Sequence, residues 1–124
     1  MEIYGRQYEF KLTVGAACEI AEHCPGGELQ RFQELIQGPM ASAMEGRTVF
    51  ICALSRGAEE ARAFAEPGYK PEPLTPALVR SLPIEIFNLA LTEASEAFLA
   101  GLQTAVGVAP AKKNEDAAAA QASR

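Results

Sequence analysis

The order of apolar and polar residues divides the chain into a short alternating segment and several stretches of helical periodicity. Residues 2–12 alternate between apolar and polar positions, which is typical of a half-buried strand. The apolar side of this alternation carries Tyr8, Phe10 and Leu12. Because Gly5-Arg6 interrupts the run that contains Ile3, the pattern predicts an N-terminal β-hairpin with its turn at these two residues.

Apolar residues at steps of three and four predict helices in the rest of the chain. The predicted helices cover residues 14–23, 28–37, 47–65 and 83–103, with a short one between residue 76 and Pro83. Thr13 and Thr75 are suited to begin two of them, because a threonine hydroxyl accepts a hydrogen bond from a free amide of the first helical turn. Residues 39–46 fit either a loop or an irregular helical turn.

The same spacing predicts which side of each helix is buried. In the first helix, these residues are Val14, Ala17, Cys18 and Ala21. In the second, they are Leu29, Phe32, Leu35 and Ile36. In the long middle helix, they are Phe50, Ala53, Leu54, Gly57, Ala61 and Phe64, and the solvent side carries Arg56, Glu59, Glu60 and Arg62. In the last helix, they are Ile84, Phe87, Leu91, Ala94, Phe98 and Leu102. Because Gly57 has no side chain, another element is expected to approach the middle helix closely there.

The composition also favours a mostly helical chain. Alanine, the best helix former, supplies 23 of the 124 residues. The predicted fold is α+β and mostly α, with an N-terminal β-hairpin followed by four or five helices in one small domain over residues 1–104. Large side chains nearly vanish after residue 104, so residues 105–124 are predicted to form a disordered, alanine-rich tail.

Charge and segment composition narrow the class of protein. Eleven basic and sixteen acidic residues give a net charge of −5, which disfavours a phosphate-neutralising surface and therefore nucleic-acid binding. No apolar stretch reaches the ~18 residues of a membrane span, and the N-terminus lacks the features of a secretory leader. Three cysteines without regular spacing fit a reducing compartment, so a cytosolic protein is expected.

The densest group of potential metal ligands lies in the first predicted helix. It consists of Cys18, Glu19, Glu22, His23 and Cys24. Cys18 and Glu22 would share one helical face and Glu19 and His23 a neighbouring one, and no second cluster completes a zinc site. Cys18 is instead expected to be a small core residue. His23 is badly placed to activate the adjacent Cys24 as a nucleophile, so no metal, cofactor or enzymatic activity is predicted.

Three apolar residues of the last predicted helix do not fit its buried side. At ~100° per residue, Leu89 lies opposite the stripe through Phe87 and Phe98, Ile86 lies well off that stripe and Leu99 lies at its margin. The same outer surface carries Glu85, Glu93 and Glu96. This surface is either covered by another part of the chain or contacts a partner, although single exposed leucines are ordinary. The candidate partner-binding residues are Ile86, Leu89 and Leu99.

Four sequence segments resemble those of a known family, and the resemblance covers residues 2 to about 103. They are Tyr8-Glu9-Phe10-Lys11-Leu12-Thr13-Val14-Gly15-Ala16, where a strand passes into a helix, Leu54-Ser55-Arg56-Gly57, Pro73-Leu74-Thr75-Pro76, and Leu82-Pro83 at the start of the final helix. In this order and spacing along a small acidic chain, they resemble the tail assembly chaperones of long-tailed bacteriophages and related gene transfer agents.

The resemblance implies a protein that is not an enzyme, acts in the host cytoplasm and is absent from the mature particle. It implies binding to the tape measure protein, which is long, helical and prone to aggregate, until the tail tube protein polymerises around it. Self-association into a ring or a helical coat is a further expectation, because many copies along one client give avidity. The family also implies a frameshifted long form, for which Ala111-Lys112-Lys113-Asn114 is the candidate slippery region.

A second interpretation belongs to another class of protein. A small structural adaptor or head-tail joining component would stay in the assembled phage-like particle, whereas a chaperone would be missing from it. Mass spectrometry of purified particles distinguishes these two interpretations.

Overall fold

A computed structural model of the protein describes residues 1–105, and its side chains are described up to residue 104. The described residues form the strands β1 (Glu2–Ile3) and β2 (Arg6–Gln7) and the helices α1 (Val14–His23), α2 (Phe32–Ile36), α3 (Met40–Ala65), α4 (Pro76–Arg80) and α5 (Ile84–Ala105). Two short 3-10 helices, Pro25–Gly27 and Leu29–Arg31, lie between α1 and α2. The predicted mostly helical α+β fold is confirmed. The predicted disordered tail lies outside the described residues, beyond Ala105.

The N-terminal hairpin is antiparallel, with Glu2 opposite Gln7 and Ile3 opposite Arg6. Its turn consists of Tyr4 and Gly5, so the predicted Gly5-Arg6 turn is wrong by one residue. Both turn residues have positive φ, 49° and 80°. A two-residue turn that matches the twist of the two strands requires positive φ at both central positions, which explains the register.

Residues 8–12 follow the hairpin and contact both α3 and α5. Tyr8 is buried and Phe10 and Leu12 are half-buried while the residues between them are exposed, so the predicted alternation is confirmed. The predicted strand is wrong over these residues, because β2 ends at Gln7 and residues 8–12 form neither a strand nor a helix. The backbone N–H of Lys11 donates a 3.0 Å hydrogen bond to the carbonyl oxygen of Leu54 in α3. The Leu12 side chain occupies the space in which a Cβ on Gly101 of α5 would lie, at 2.6 Å.

Helix α3 lies at the centre of the fold and contacts α1, α2, α4 and α5. Its residues 50–55 are buried on all sides. It starts at Met40, so the ambiguous residues 39–46 belong almost entirely to the helix. The close approach predicted at Gly57 is confirmed, since a Cβ there would lie 2.5 Å from the carbonyl oxygen of Lys11.

Three phenylalanines from different helices form the centre of the core. The ring of Phe98 in α5 lies 4.4 Å from that of Phe32 in α2 and 5.1 Å from that of Phe50 in α3, between ring centroids. Phe50 and Phe98 are fully buried. Aromatic pairs at these distances add to the stabilisation from burial itself, so this cluster joins three helices at one point.

Two predicted helix caps are confirmed. The Thr13 hydroxyl accepts a 3.2 Å hydrogen bond from the backbone N–H of Ala16 at the start of α1. The Thr75 hydroxyl accepts one of the same length from the backbone N–H of Leu78 at the start of α4. Each bond satisfies an amide that the helix itself leaves free.

Several residues predicted to be buried are exposed. They are Val14, Cys18, Phe64 and Ile84. Val14, Phe64 and Ile84 stand in the first or last turn of a helix, where neighbouring elements no longer cover it. In α1 the buried residues are Ala16 and Ile20, and the Ala16 side chain faces the close approach at Gly57. That tertiary contact, rather than the pattern of α1 alone, sets its buried side.

We expect Gly46→Ala to destabilise the protein, because a Cβ at this position would lie 1.8 Å from the backbone carbonyl oxygen of Leu35. Backbone must shift to relieve this overlap, and overpacking of this kind costs about 1–3 kcal/mol. Urea denaturation followed by circular dichroism measures the loss.

The matched control is Gly15→Ala in α1, where the added Cβ meets only ordinary contacts near 3.9 Å. The control should be neutral or stabilising by up to about 1 kcal/mol, and equal losses in both variants would contradict the role of the close approach.

Candidate interaction surface

Helix α5 presents two different sides. Its inward side carries Phe87, Ala90, Ala94 and Phe98, all buried. Its outward side includes Leu89, which is 55% exposed, and Leu99, which is 49% exposed. Ile86 is half-buried at the border between the two sides. The predicted outward position of Leu89 is therefore confirmed, and Leu99, predicted at the margin of the buried stripe, is exposed as well. Contact of these residues with a partner stays a prediction.

The charged side chains of α5 all have the same sign. They are Glu85, Glu93 and Glu96, and all three are exposed. The helix itself contains no basic residue. The amino group of Met1 lies 3.5 Å from the Glu93 carboxylate, and it is the positive group closest to this surface among the described ion pairs. We call the exposed leucines together with these glutamates the α5 outer surface.

Two shallow depressions border the α5 outer surface. One, of about 590 Å³, lies over the first turns of the helix and is lined by Glu85, Ile86, Asn88, Leu89 and Thr92. The other, of about 540 Å³, lies between α5 and the extended N-terminal segment and includes Tyr8, Phe10, Glu93 and Glu96. Both combine apolar walls with carboxylates. A surface of this kind suits an apolar side chain flanked by positive charge.

The cysteine and histidine side chains of the first helix are dispersed rather than gathered. Cys18 is exposed and Cys24 is buried, so the expectation of Cys18 as a core residue is wrong. Glu19 accepts hydrogen bonds from Arg56, and His23 Nδ1 lies 3.0 Å from the backbone carbonyl oxygen of Glu19. Within the described part of the chain, no group of three or more His, Cys, Asp or Glu side chains is arranged to hold a metal ion.

Burial controls the chemistry of the two interior thiols. It raises the pKa of Cys52 to about 11, and it also raises the pKa of Cys24. Because the thiolate is the nucleophilic form, both side chains are protonated and unreactive near neutral pH. These two cysteines therefore serve as small apolar residues of the core.

A buried carboxylate in α3 is the main site that the sequence pattern misplaced. Glu59 was predicted to face solvent, yet it is only 4% exposed. Its Oε1 atom accepts hydrogen bonds from the Arg6 guanidinium at 2.9 Å, the Tyr69 hydroxyl at 2.8 Å and the Glu72 backbone N–H at 2.8 Å. One carboxylate thus holds the hairpin and the loop after α3 on the same face of this helix.

A second polar side chain of α3 holds the same loop. Ser55, one helical turn before Glu59, accepts a 2.9 Å hydrogen bond from the backbone N–H of Leu74. The guanidinium of Arg62 lies 4.2 Å from the centre of the Tyr69 ring, a favourable cation–π arrangement. The sequence does contain a signal for this contact between α3 and the loop. Ser55 and Glu59 stand at i and i+4, and the proline-rich loop that follows needs hydrogen-bond acceptors for its amides.

Desolvation and hydrogen bonding act in opposite directions on Glu59. Burial raises the pKa of its carboxyl. The hydrogen bonds from Glu72, Tyr69 and Arg6 and the charge of Arg6 together lower this pKa by more than burial raises it, so the pKa lies below its ordinary value. Glu59 is therefore ionised at neutral pH. Its arrangement is that of a structural contact, because its Oε1 is already occupied by three donors from the chain itself.

No family model, curated protein or solved structure matches the chain. Among the described residues, none of the helices has both the length and the apolar character needed to cross a bilayer.

Proposed function

We propose that this protein is a tail assembly chaperone of a phage or gene transfer agent, which binds the tape measure protein and keeps it soluble while the tail tube protein polymerises. The observation that carries the proposal is the exposure of Leu89 and Leu99 between glutamates on α5. Helices begin at Val14, Pro76 and Ile84, within or directly after three of the segments on which the family resemblance rests, although residues 8–12 of the first segment do not form a strand. In this role the protein catalyses no reaction.

A chaperone for a long helical client needs moderate contacts at each site. Two half-exposed leucines supply a small apolar area, so one copy binds weakly and is released when tail tube subunits compete. Many copies along one client add avidity without tight single contacts. The surrounding carboxylates keep the free protein soluble despite its exposed apolar side chains.

The charge of the α5 outer surface specifies the client segment further. Glu85, Glu93 and Glu96 attract a helix whose apolar stripe is bordered by lysine or arginine, and they repel one bordered by acidic residues. Residues 1–104 carry eight basic and fourteen acidic side chains. The attraction for a basic client segment therefore comes from the net charge of these residues as well as from the contact itself.

Co-expression with the tape measure protein of the same genome tests the proposed function. The chaperone should raise the soluble yield of the tape measure protein and co-purify with it, whereas an unrelated acidic helical protein should not. Purified particles should lack the chaperone by mass spectrometry. No rescue of solubility would reject the proposal, and a fixed copy number in purified particles would favour the adaptor or head-tail joining component instead.

Leu89→Glu is expected to weaken binding of the tape measure protein about tenfold or more. A leucine side chain contributes about 1.5–3 kcal/mol when fully buried, and 1.4 kcal/mol corresponds to a factor of ten in affinity. Isothermal titration calorimetry or a pull-down series measures the change.

The matched control for Leu89→Glu is Gln33→Glu, which adds the same charge at an exposed position of α2. The control should bind as the wild type does, and circular dichroism should show both variants folded. Unchanged binding by folded Leu89→Glu would remove the α5 outer surface from the contact.

A further inference from the structure

The hydrogen-bond pattern of the N-terminal hairpin continues one pair beyond its two strands. Ile3 lies opposite Arg6, and the same register places Met1 opposite Tyr8. The Tyr8 N–H donates a 2.8 Å hydrogen bond to the Met1 carbonyl oxygen, and the Met1 amino group donates one of 2.7 Å to the Tyr8 carbonyl oxygen. Residues that exchange both bonds recur at every second position of an antiparallel pair. The next position of this kind along the chain is Phe10.

The backbone of Phe10 has the place of a paired residue but no partner. Within the part of the chain that the structure describes, neither its N–H nor its carbonyl oxygen makes a backbone hydrogen bond. The adjacent Lys11 N–H faces the other way and donates to the carbonyl oxygen of Leu54 in α3. Because the alternating burial of residues 8–12 is that of an extended chain, the backbone groups of neighbouring residues point to opposite sides. Phe10 therefore presents a donor and an acceptor on the side of Met1, away from α3.

An open groove lies at this edge of the N-terminal segment. It has a volume of about 540 Å³, and its apolar lining includes Tyr8, Phe10 and Ala97 of α5. The groove ends where the N-terminal segment and α5 touch, since the Leu12 side chain lies 2.6 Å from the place of a Cβ on Gly101. Its space therefore admits a short stretch of one extended chain, in line with β1.

The charges around the groove are mainly negative. Glu9, Glu93 and Glu96 line it, and all three are exposed. The positive group beside them is the amino group of Met1, 3.5 Å from the Glu93 carboxylate. Three carboxylates against one amino group favour a segment that carries lysine or arginine. Directly opposite residues of two strands have their side chains on the same face, so a basic residue opposite Glu9 places apolar residues at the positions on either side of it.

The geometry points to a docking site for an extended, basic segment of a partner protein, which adds one strand to the edge at Phe10. The segment exchanges two backbone hydrogen bonds with Phe10 and continues the pairing that Met1 makes with Tyr8. Its apolar side chains pack on Phe10 and Ala97, while its basic side chains meet the three carboxylates of the groove. In strand addition of this kind, the main chain supplies affinity and the alternate side chains supply specificity.

This strand site differs from the proposed contact with the tape measure protein in the shape of its ligand. The α5 outer surface takes a helix, whereas the groove takes an extended chain, although Glu93 and Glu96 border both. The exposed leucines of α5 have no part in the strand site. The two contacts can therefore be tested separately.

Titration of the purified chain with a short synthetic peptide of alternating valine and lysine, capped at both ends, tests the strand site. Amide hydrogen exchange measured by nuclear magnetic resonance should slow at least about tenfold at Phe10 when the peptide is bound, because a hydrogen-bonded amide is protected. A peptide with glutamate in place of lysine should bind at least about tenfold more weakly.

Methylated peptides separate strand addition from simple charge attraction. The valines face the groove, and their N–H groups are the donors opposite Phe10. N-methylation of the valines should therefore weaken binding at least about tenfold, whereas N-methylation of the lysines, whose N–H groups point away from Phe10, should weaken it much less. Equal binding of the two methylated peptides would overturn the proposal, and so would an absence of binding at about 1 mM of the unmodified peptide.

Three variants locate the contact on the protein. Ala97→Gln, which fills the groove, should weaken peptide binding at least about tenfold. Its matched control, Ala100→Gln, stands at an exposed position of the same helix outside the groove and should bind as the wild type does. Leu89→Ser should also bind the peptide normally. Circular dichroism verifies that each variant is folded.

The variants also keep this proposal distinct from the chaperone function. Unchanged binding by Ala97→Gln would reject the groove as the site, and loss of binding in Leu89→Ser would place the peptide on the α5 outer surface instead. Neither result involves the tape measure protein. Failure of the strand site therefore leaves the chaperone proposal as it stands, and failure of the co-expression test leaves the strand site as it stands.

Discussion

Replacement of Phe98 by alanine is expected to lower the free energy of unfolding by about 4 kcal/mol, within the 3–5 kcal/mol typical of buried phenylalanines. The ring is fully buried and contacts both Phe32 and Phe50, so its removal leaves a cavity where α2, α3 and α5 meet. Small domains are stable by only about 5–15 kcal/mol. Urea denaturation should therefore show a much lower midpoint with an unchanged slope.

The control for this substitution is the neighbouring residue. Leu99→Ala removes an apolar side chain of the same helix at a position that is half exposed, and in the isolated protein it should cost less than about 1 kcal/mol. Similar losses for both variants would mean that the three phenylalanines do not form the centre of the core.

Glu59→Ala is expected to destabilise the protein by about 3 kcal/mol, because it leaves three hydrogen-bond donors without their acceptor. Hydrogen bonds to charged groups contribute about 1.5–3 kcal/mol each, and part of this is recovered from water that enters near Arg6. The loop after α3 should also become more accessible, which limited proteolysis or hydrogen exchange at Tyr69 and Glu72 detects. Glu60→Ala, at the adjacent exposed position, should change stability by less than about 0.5 kcal/mol.

Glu59→Gln separates the charge of this residue from its size. The folded-state pKa of Glu59 lies below the ordinary value of 4.5, so ionised Glu59 stabilises the fold at any pH above the unfolded-state value. As the pH falls through the lowered folded-state pKa, this stabilisation is lost. The stability difference between wild type and Glu59→Gln should therefore be constant near neutral pH and shrink below about pH 4.5. A difference that persists unchanged into strong acid would contradict the assigned ionisation.

Local signals in the sequence were sufficient for most elements of the fold. Thr13 and Thr75 are caps because their hydroxyls act within one helical turn, and Gly57 marks a close approach because no other residue type would fit. The start of α3 was ambiguous because residues 39–46 lack large side chains except methionine. In the structure Gly46 packs closely against the backbone of Leu35 in α2, a contact with another helix that the pattern of residues 39–46 does not show.

Errors in burial arose where tertiary contacts override periodicity. Glu59 is interior because donors from the hairpin and from the loop after α3 satisfy its charge, and neither donor belongs to α3 itself. Phe64 continues the apolar stripe of α3, yet the helix extends past the elements that cover its earlier turns. The outward leucines of α5 were predictable because a helix packed on one side must expose the other.

The contact between Leu12 and Gly101 also determines when the chain can finish folding. It joins residues far apart in the sequence, as do the hydrogen bonds between Tyr4 and Ser81, which are 77 positions apart. Long loops must close before such contacts form, and their closure entropy slows folding relative to a bundle held by neighbouring helices. During synthesis the N-terminal segment has no complete site to occupy until α5 has left the ribosome. Completion of the core is therefore a late event in folding.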